Sequence, residues 1–135
     1  MDTTIKSAPE VPISHGESVL VVENEVSILK LTVKILDSLG YSVLTANTPN
    51  EAIRLAREHI GEIHLLITDV FMPDINGWDL AGRLLTLYPK LKCLFMSGYT
   101  ANVIAHRGIF DEGVHFIQKP FSKKELAVKI REVLE

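Results

Sequence analysis

Cysteine is almost missing from this chain. Cys93 stands alone, so no internal disulfide can staple the fold and stability has to come from packing. Long hydrophobic runs are missing too. No stretch approaches the ~18 apolar residues that a membrane-spanning helix needs, and no charged-then-apolar leader opens the sequence. Positive charge is not in excess: 14 Lys and Arg face 17 Asp and Glu, for a formal net charge of -3 and a pI near 5.9. With no basic run, the chain has no general attraction to nucleic acid or to an anionic membrane surface. These absences lead us to expect a reducing, soluble compartment, the cytoplasm, with no direct contact to nucleic acid or membrane.

What is present suits one compact domain. At 135 residues with 47% hydrophobic composition, the chain can bury a sizeable core but cannot divide into two domains. "MDTTIKSAPEVPISHGE" mixes Pro, Ser, Thr and Gly without periodicity, so residues 1–17 are expected to be a flexible tail or linker and residues 18–135 the domain. From Ser18 onward, apolar runs alternate with amphipathic ones. The strand candidates are "SVLVVE", "YSVLTA", "IHLLITD", "LKCLFMS" and "GVHFIQ", mostly continuous runs of the kind covered on both faces in a parallel sheet.

The helices carry start and stop signals. Ile28, Thr32, Ile35, Leu36 and Leu39 share one face of a first helix that Gly40 should end. Thr48-Pro49-Asn50-Glu51 reads as a capping box with Pro at the first helical position, and Asn76 as the cap of a third helix with Leu80, Leu84 and Leu87 inward. A fourth helix is expected from Thr100 to about Arg107. Ser122-Lys123-Lys124-Glu125 caps a fifth, which turns Leu126, Ile130 and Val133 to the core. Five β-α units with right-handed crossovers give an open, doubly wound parallel sheet with helices on both faces.

Ligands of such sheets bind beyond the carboxyl ends of the strands. Here those ends deliver Glu23, Asn24 and Glu25 from the first strand, Asp69 from the third, Ser97 from the fourth and Lys119 from the fifth. Carboxylates ~6 Å apart repel by roughly 3 kcal/mol at an effective dielectric of ~20, so a cation is needed among them. Magnesium suits oxygen donors that include one or two carboxylates, several waters and phosphate oxygens. Asp69 beside that metal and Lys119 can attack phosphorus, with Ser97 and Lys119 holding the phosphoryl oxygens.

The strings "VLVVENE", "LLITDVFMPDINGWDL", "FMSGY" and "FIQKPF", in this order at the ends of strands one, three, four and five, resemble the signatures of the response-regulator receiver domain of two-component signalling. The resemblance covers Ser18 to Glu135. It implies a flavodoxin-like α/β fold with strand order 2-1-3-4-5 and five helices. It also implies Asp69 as phosphoacceptor, Glu23, Asn24, Asp69 and the backbone carbonyl of Phe71 as ligands of Mg2+, Ser97 as switch hydroxyl, Lys119 as phosphate-binding lysine and Phe116 as switch aromatic. Phe71 and Tyr99 match the positions that border the path of a hydrolytic water, and Lys119-Pro120 the position of a cis bond.

Two departures stand out. Asn24 replaces the usual second acid, and Phe71 an often polar residue. The implied partners are a histidine kinase or histidine phosphotransfer protein upstream and an effector protein downstream. Such a domain catalyses its own phosphorylation but has no turnover substrate, so it is not an enzyme in the usual sense. With no output domain after Glu135, the chain is expected to be a stand-alone regulator, a receiver cut from a hybrid histidine kinase, or part of a longer regulator; "MSGYT" and "FSKKELAVKIREVL" look most like hybrid-kinase receivers. The alternative is a pseudo-receiver, a protein-interaction module without phosphorylation, which Asn24 keeps in play. His59, His64, His106 and His115 show no metal-ligand spacing. Trp78, near Asp69, is a natural fluorescence reporter.

Overall fold

The computed structural model describes residues 11–98 and 115–135. The fourth helix expected over Thr100 to Arg107 lies outside the described residues, as do Tyr99 and His106. Five strands, β1 (Ser18–Val22), β2 (Ser42–Ala46), β3 (Leu65–Asp69), β4 (Lys92–Ser97) and β5 (Phe116–Gln118), form one parallel sheet in the order β2-β1-β3-β4-β5. The helices described are α1 (Val26–Ser38), α2 (Pro49–Glu58), α3 (Gly77–Leu87) and a C-terminal helix (Lys123–Leu134).

Alternation along the strands explains why the central runs are apolar throughout. Val19, Val21, Leu65, Ile67, Leu94 and Met96 point to one face and pack with Leu36 of α1 and Leu126, Ile130 and Val133 of the C-terminal helix. Leu20, Val22, Leu66 and Phe95 point to the other, against Ala52 and Ile53 of α2 and Leu80 and Leu84 of α3. Each central strand is therefore buried twice, and a polar residue inside it would face a core on either side. Buried carboxylates appear where the strands run out, at Glu23 and Asp69, with Ser97 at the end of β4; Thr68, buried inside β3, donates its hydroxyl to the Asp69 carbonyl at 3.1 Å.

Local signals set the helix ends. The Thr48 side chain accepts from the Glu51 N–H at 3.1 Å, but Glu51 reaches past Thr48 to the Asn47 N–H at 3.0 Å, so the expected box closes one residue early. Asn76 caps α3 by accepting from Asp79 N–H at 2.8 Å. Both bonds of the Ser122–Glu125 capping box are present. Gly40, at φ 91, ends α1 in a conformation that L side chains rarely adopt.

Leu87 corrects the expected inward face of α3. It is the last helical residue and 42% exposed, because the chain turns there and Tyr88 takes the inner place, donating its hydroxyl to the Ala56 carbonyl at 2.7 Å. The boundary expected at Ser18 also does not mark where contacts begin. Val11 packs on the first core layer and Ser14 N–H donates to Leu39 O at 2.8 Å.

Gly77 positions α3 against the end of β3. Its N–H donates to Val70 O at 2.8 Å, and a Cβ built on it would collide with the Asp69 carbonyl. Gly82, one and a half turns on, faces open space. Gly77→Ala should therefore lower the melting temperature by several degrees, through a backbone clash that no rotamer relieves. Gly82→Ala should be neutral or stabilise by up to ~1 kcal/mol through helix propensity. Thermal unfolding of both variants checks this, and equal effects would remove the close approach at Gly77 as the cause.

Candidate functional site

Three strand ends meet in one cluster. Lys119, just beyond β5, places Nζ 2.9 Å from Glu23 Oε1 and 2.8 Å from Asp69 Oδ1, bridging carboxylates that leave β1 and β3. Both acids are buried, at 1% and 4% exposure, and the Lys119 side chain is 20% exposed. The second Glu23 oxygen is used as well: Oε2 accepts from the Glu25 N–H at 2.9 Å, at the start of α1. Glu25 is the N-cap residue of α1 but makes no side-chain cap, so the cap is supplied from inside the site by Glu23.

Ser97 is buried at the end of β4 and tied to the same lysine through the backbone, its carbonyl accepting from Lys119 N–H at 2.8 Å. Asp69 pairs in register with Met96, which sets Ser97 one step further along the neighbouring strand. Asn24 follows Glu23 and Phe71 comes two residues after Asp69; both are exposed, Phe71 by 40%. The Lys119-Pro120 bond is cis. Phe116 opens β5, opposite Phe95, partly buried against the second core layer. Phe95 in turn stacks on Trp78, ring centroids 5.8 Å apart at 29°. The structure thus brings Glu23, Asp69 and Lys119 into contact, with Ser97 joined to Lys119 through the backbone; Asn24 and Phe71 are near in the chain to Glu23 and Asp69, and Tyr99 is not among the described residues.

The charges do not balance. One ammonium faces two carboxylates in a site largely screened from water. Burial and then the neighbouring Glu23 push Asp69 up to about 7, although Lys119 works in the opposite direction. Burial also opposes ionisation of Glu23, but its hydrogen bonds, from the Asp69 carboxyl, the Glu25 N–H and Lys119, hold it below the usual carboxylate range. Lys119 lies above its usual value, because its bonds to Asp69 and Glu23 outweigh its burial. The cluster accordingly has room for added positive charge. Among the described residues no group of three or more His, Cys, Asp or Glu gathers around a common point. A site of two carboxylates completed by amide, carbonyl and water oxygens fits magnesium, which takes few carboxylates and keeps its waters.

Sequence reasoning named every member of this cluster but missed two supports. Gly77, inside the quoted string "DINGWDL", lacks a side chain because the Asp69 backbone leaves no space for one. Glu25 N–H holds Glu23 by a backbone bond, which no residue type announces.

The raised Asp69 value has a thermodynamic sign. An unfolded Asp releases its proton near 3.8 and the folded one near 7, so between those values the folded chain binds more protons. The stability that this one group contributes is therefore fully present below about 4 and is lost as pH rises through about 7. In chelator-treated protein, Asp69→Asn should raise the melting temperature by several degrees at pH 8 and change it little at pH 4. Thermal scans at the two pH values check this; an equal shift at both would mean that charge is not the origin.

Comparison with known proteins gives the family. Residues 19–131 match the family model described as response regulator receiver domain. The chain is 36% identical over 123 residues to "Sensor kinase CckA" of Brucella abortus (strain 2308), covering 91% of this chain and 13% of that protein. It is 30% identical over 118 residues to "Transcriptional regulatory protein CreB" of Escherichia coli (strain K12), covering 87% of this chain and 51% of that one. The chain thus spans about half or less of the length of these two relatives. The crystal structure of the receiver domain from the hybrid histidine kinase CckA superposes with a TM-score of 0.73 at 33% identity, covering 87% of this chain and 99% of that one. With a family match over residues 19–131 and the same fold, the chain belongs to the response regulator receiver domain family of two-component signalling.

Proposed function

We propose that Asp69 accepts a phosphoryl group from a phosphohistidine of a histidine kinase or histidine phosphotransfer protein. The observation that carries this reading is the Lys119 bridge, at 2.8 and 2.9 Å, between two buried carboxylates at the open end of the sheet. A carboxylate oxygen of Asp69 attacks phosphorus, the N–P bond of the donor breaks, and the imidazole leaves with its electron pair. Glu23, Asn24, Asp69 and the Phe71 carbonyl would hold Mg2+, which would supply charge neutralisation for the transferred phosphoryl group. As charge builds on those oxygens, Lys119 turns its bond from the Asp69 carboxylate toward them, and the Ser97 hydroxyl donates to another.

The same pull makes the switch. Ser97 drawn toward Asp69 vacates space into which Phe116 can turn, and the surface of β5, the C-terminal helix and the fourth-helix region changes for a downstream effector. Because Phe116 has no hydroxyl, its inward state rests on packing alone. The domain modifies itself and turns over no substrate, and we place it in the cytoplasm. Among the described residues no helix is long and apolar enough to cross a membrane.

Intact-mass measurement after incubation with a small phosphodonor and magnesium tests the reading. A gain of one phosphoryl group is expected, absent in Asp69→Asn and abolished by chelator; no gain in wild type leaves the pseudo-receiver, an interaction module. Asn24→Asp adds a third carboxylate and should tighten magnesium ~10-fold, or ~1.4 kcal/mol, read from Trp78 fluorescence. No tightening would remove Asn24 from the ligand set.

A second expectation concerns lifetime. Phe71, two positions after Asp69 and 40% exposed, occupies the position that in the family borders the path of in-line water, so the aspartyl phosphate should persist. Phe71→Asn should hasten its loss severalfold, followed by mass against time. Equal or slower decay would acquit Phe71.

A further inference from the structure

At the pole of the sheet opposite the phosphoacceptor, a second buried charge cluster ties together segments more than a hundred residues apart. Arg131, on the C-terminal helix, is only 9% exposed. One of its terminal nitrogens, Nη1, donates to Glu17 Oε2 at 3.0 Å and to the Tyr41 hydroxyl at 3.4 Å; Nη2 lies 2.7 Å from Glu135 Oε2 and 3.1 Å from His15 Nδ1. Nε donates to Glu135 at 2.9 Å. The guanidinium fork is thus filled by the segment before β1, the residue that follows Gly40, and the end of its own helix.

The segment before β1 is itself folded around Glu17. Glu17 Oε1 accepts from His15 N–H at 2.8 Å and from the Ser14 hydroxyl at 3.3 Å, and Gly16 N–H donates to Ser14 Oγ at 2.8 Å. Gly16 sits at φ 101, a conformation that lets the chain turn back on Ser14. Ser14 N–H reaches Leu39 O, and Val11 packs on the core layer that the C-terminal helix shares. Burial opposes ionisation of Glu17, but the backbone bond from His15 and then the bond from Arg131 outweigh it and hold the carboxyl below its usual range.

We propose that residues 11–17 form a strap latched to the C-terminal helix through Arg131, so that freeing the strap loosens the last turn of that helix and disturbing that helix frees the strap. The physical ground is the shared guanidinium. Glu17 takes Nη1 in a pair largely screened from water, its side chain 16% exposed, and Glu135, 58% exposed, takes Nε and Nη2 on one oxygen, so both ends hold the same planar group. Loss of Glu17 removes one of the groups orienting Arg131, and loss of Arg131 leaves Glu17 without its counter-ion. This coupling is independent of phosphoryl chemistry and holds whether or not Asp69 accepts phosphate.

Residue-resolved hydrogen exchange on the full chain tests it, in wild type, Glu17→Gln, His15→Ala and Arg131→Gln. In Glu17→Gln, amides of Ser14 and Gly16 should exchange at least ~10-fold faster. Amides of residues 131–135 should follow by ~3-fold or more, with those of Leu20 and Ile67 in the central strands unchanged. Arg131→Gln should free the same two regions together. If Arg131→Gln does not fold, Glu17→Gln and His15→Ala still decide, since both lie on the strap. A strap that opens while residues 131–135 exchange at the wild-type rate would overturn the coupling; so would a strap that stays protected in every variant.

Discussion

The ion bridge from Lys119 to Glu23 and Asp69 constrains the rest of the structure. Two carboxylates cannot be buried side by side without a cation, and this one arrives from the far end of the sequence, so β1, β3 and β5 must end at one level. The parallel sheet provides that: registers fixed by cores on both faces leave no freedom to slide a strand by one residue without turning its apolar set outward. The helices then serve the site as walls. α3 is held against Asp69 at a position where only glycine fits, and α1 begins where Glu23 accepts its first free N–H.

Much of this was legible because this sequence places its chemistry next to its punctuation. Apolar runs ending in Glu23, Asp69, Ser97 and Lys119 reveal both the strands and the cleft, since a doubly buried strand has few other reasons to stop at a charge. Asn76 and Ser122 announce their helices because capping is local. Where contacts are remote, the sequence is mute. Leu87 fits the inward heptad spacing, and only the turn at Tyr88 puts it outside. Arg131 in "KIREVL" reads as an ordinary solvated charge on a helix, and its burial depends on Glu17, His15 and Tyr41, none of which is near in sequence. Thr48 was read correctly as a cap, but the reach of Glu51 to Asn47 depends on the loop path.

The two charge clusters sit at opposite ends of the sheet and have opposite compositions of function and support. At the carboxyl end an ammonium is short of the charge it faces, which leaves the site open to a further cation. At the amino end a guanidinium is wrapped by several acceptors, a planar fork that lysine could not replace. The first suits exchange of partners and the second suits permanence.

Glu23 gives the site a second connection. One of its oxygens belongs to Lys119 and the other to the backbone at the head of α1. The free N–H groups of a helix start carry positive partial charge. Under the proposed phosphoryl transfer, with Lys119 drawn toward the phosphoryl oxygens, the Glu25 N–H would remain on Glu23 and take up part of the charge left there. The head of α1 would then act as a charge reservoir for the site, filled and emptied without any side chain of that helix taking part.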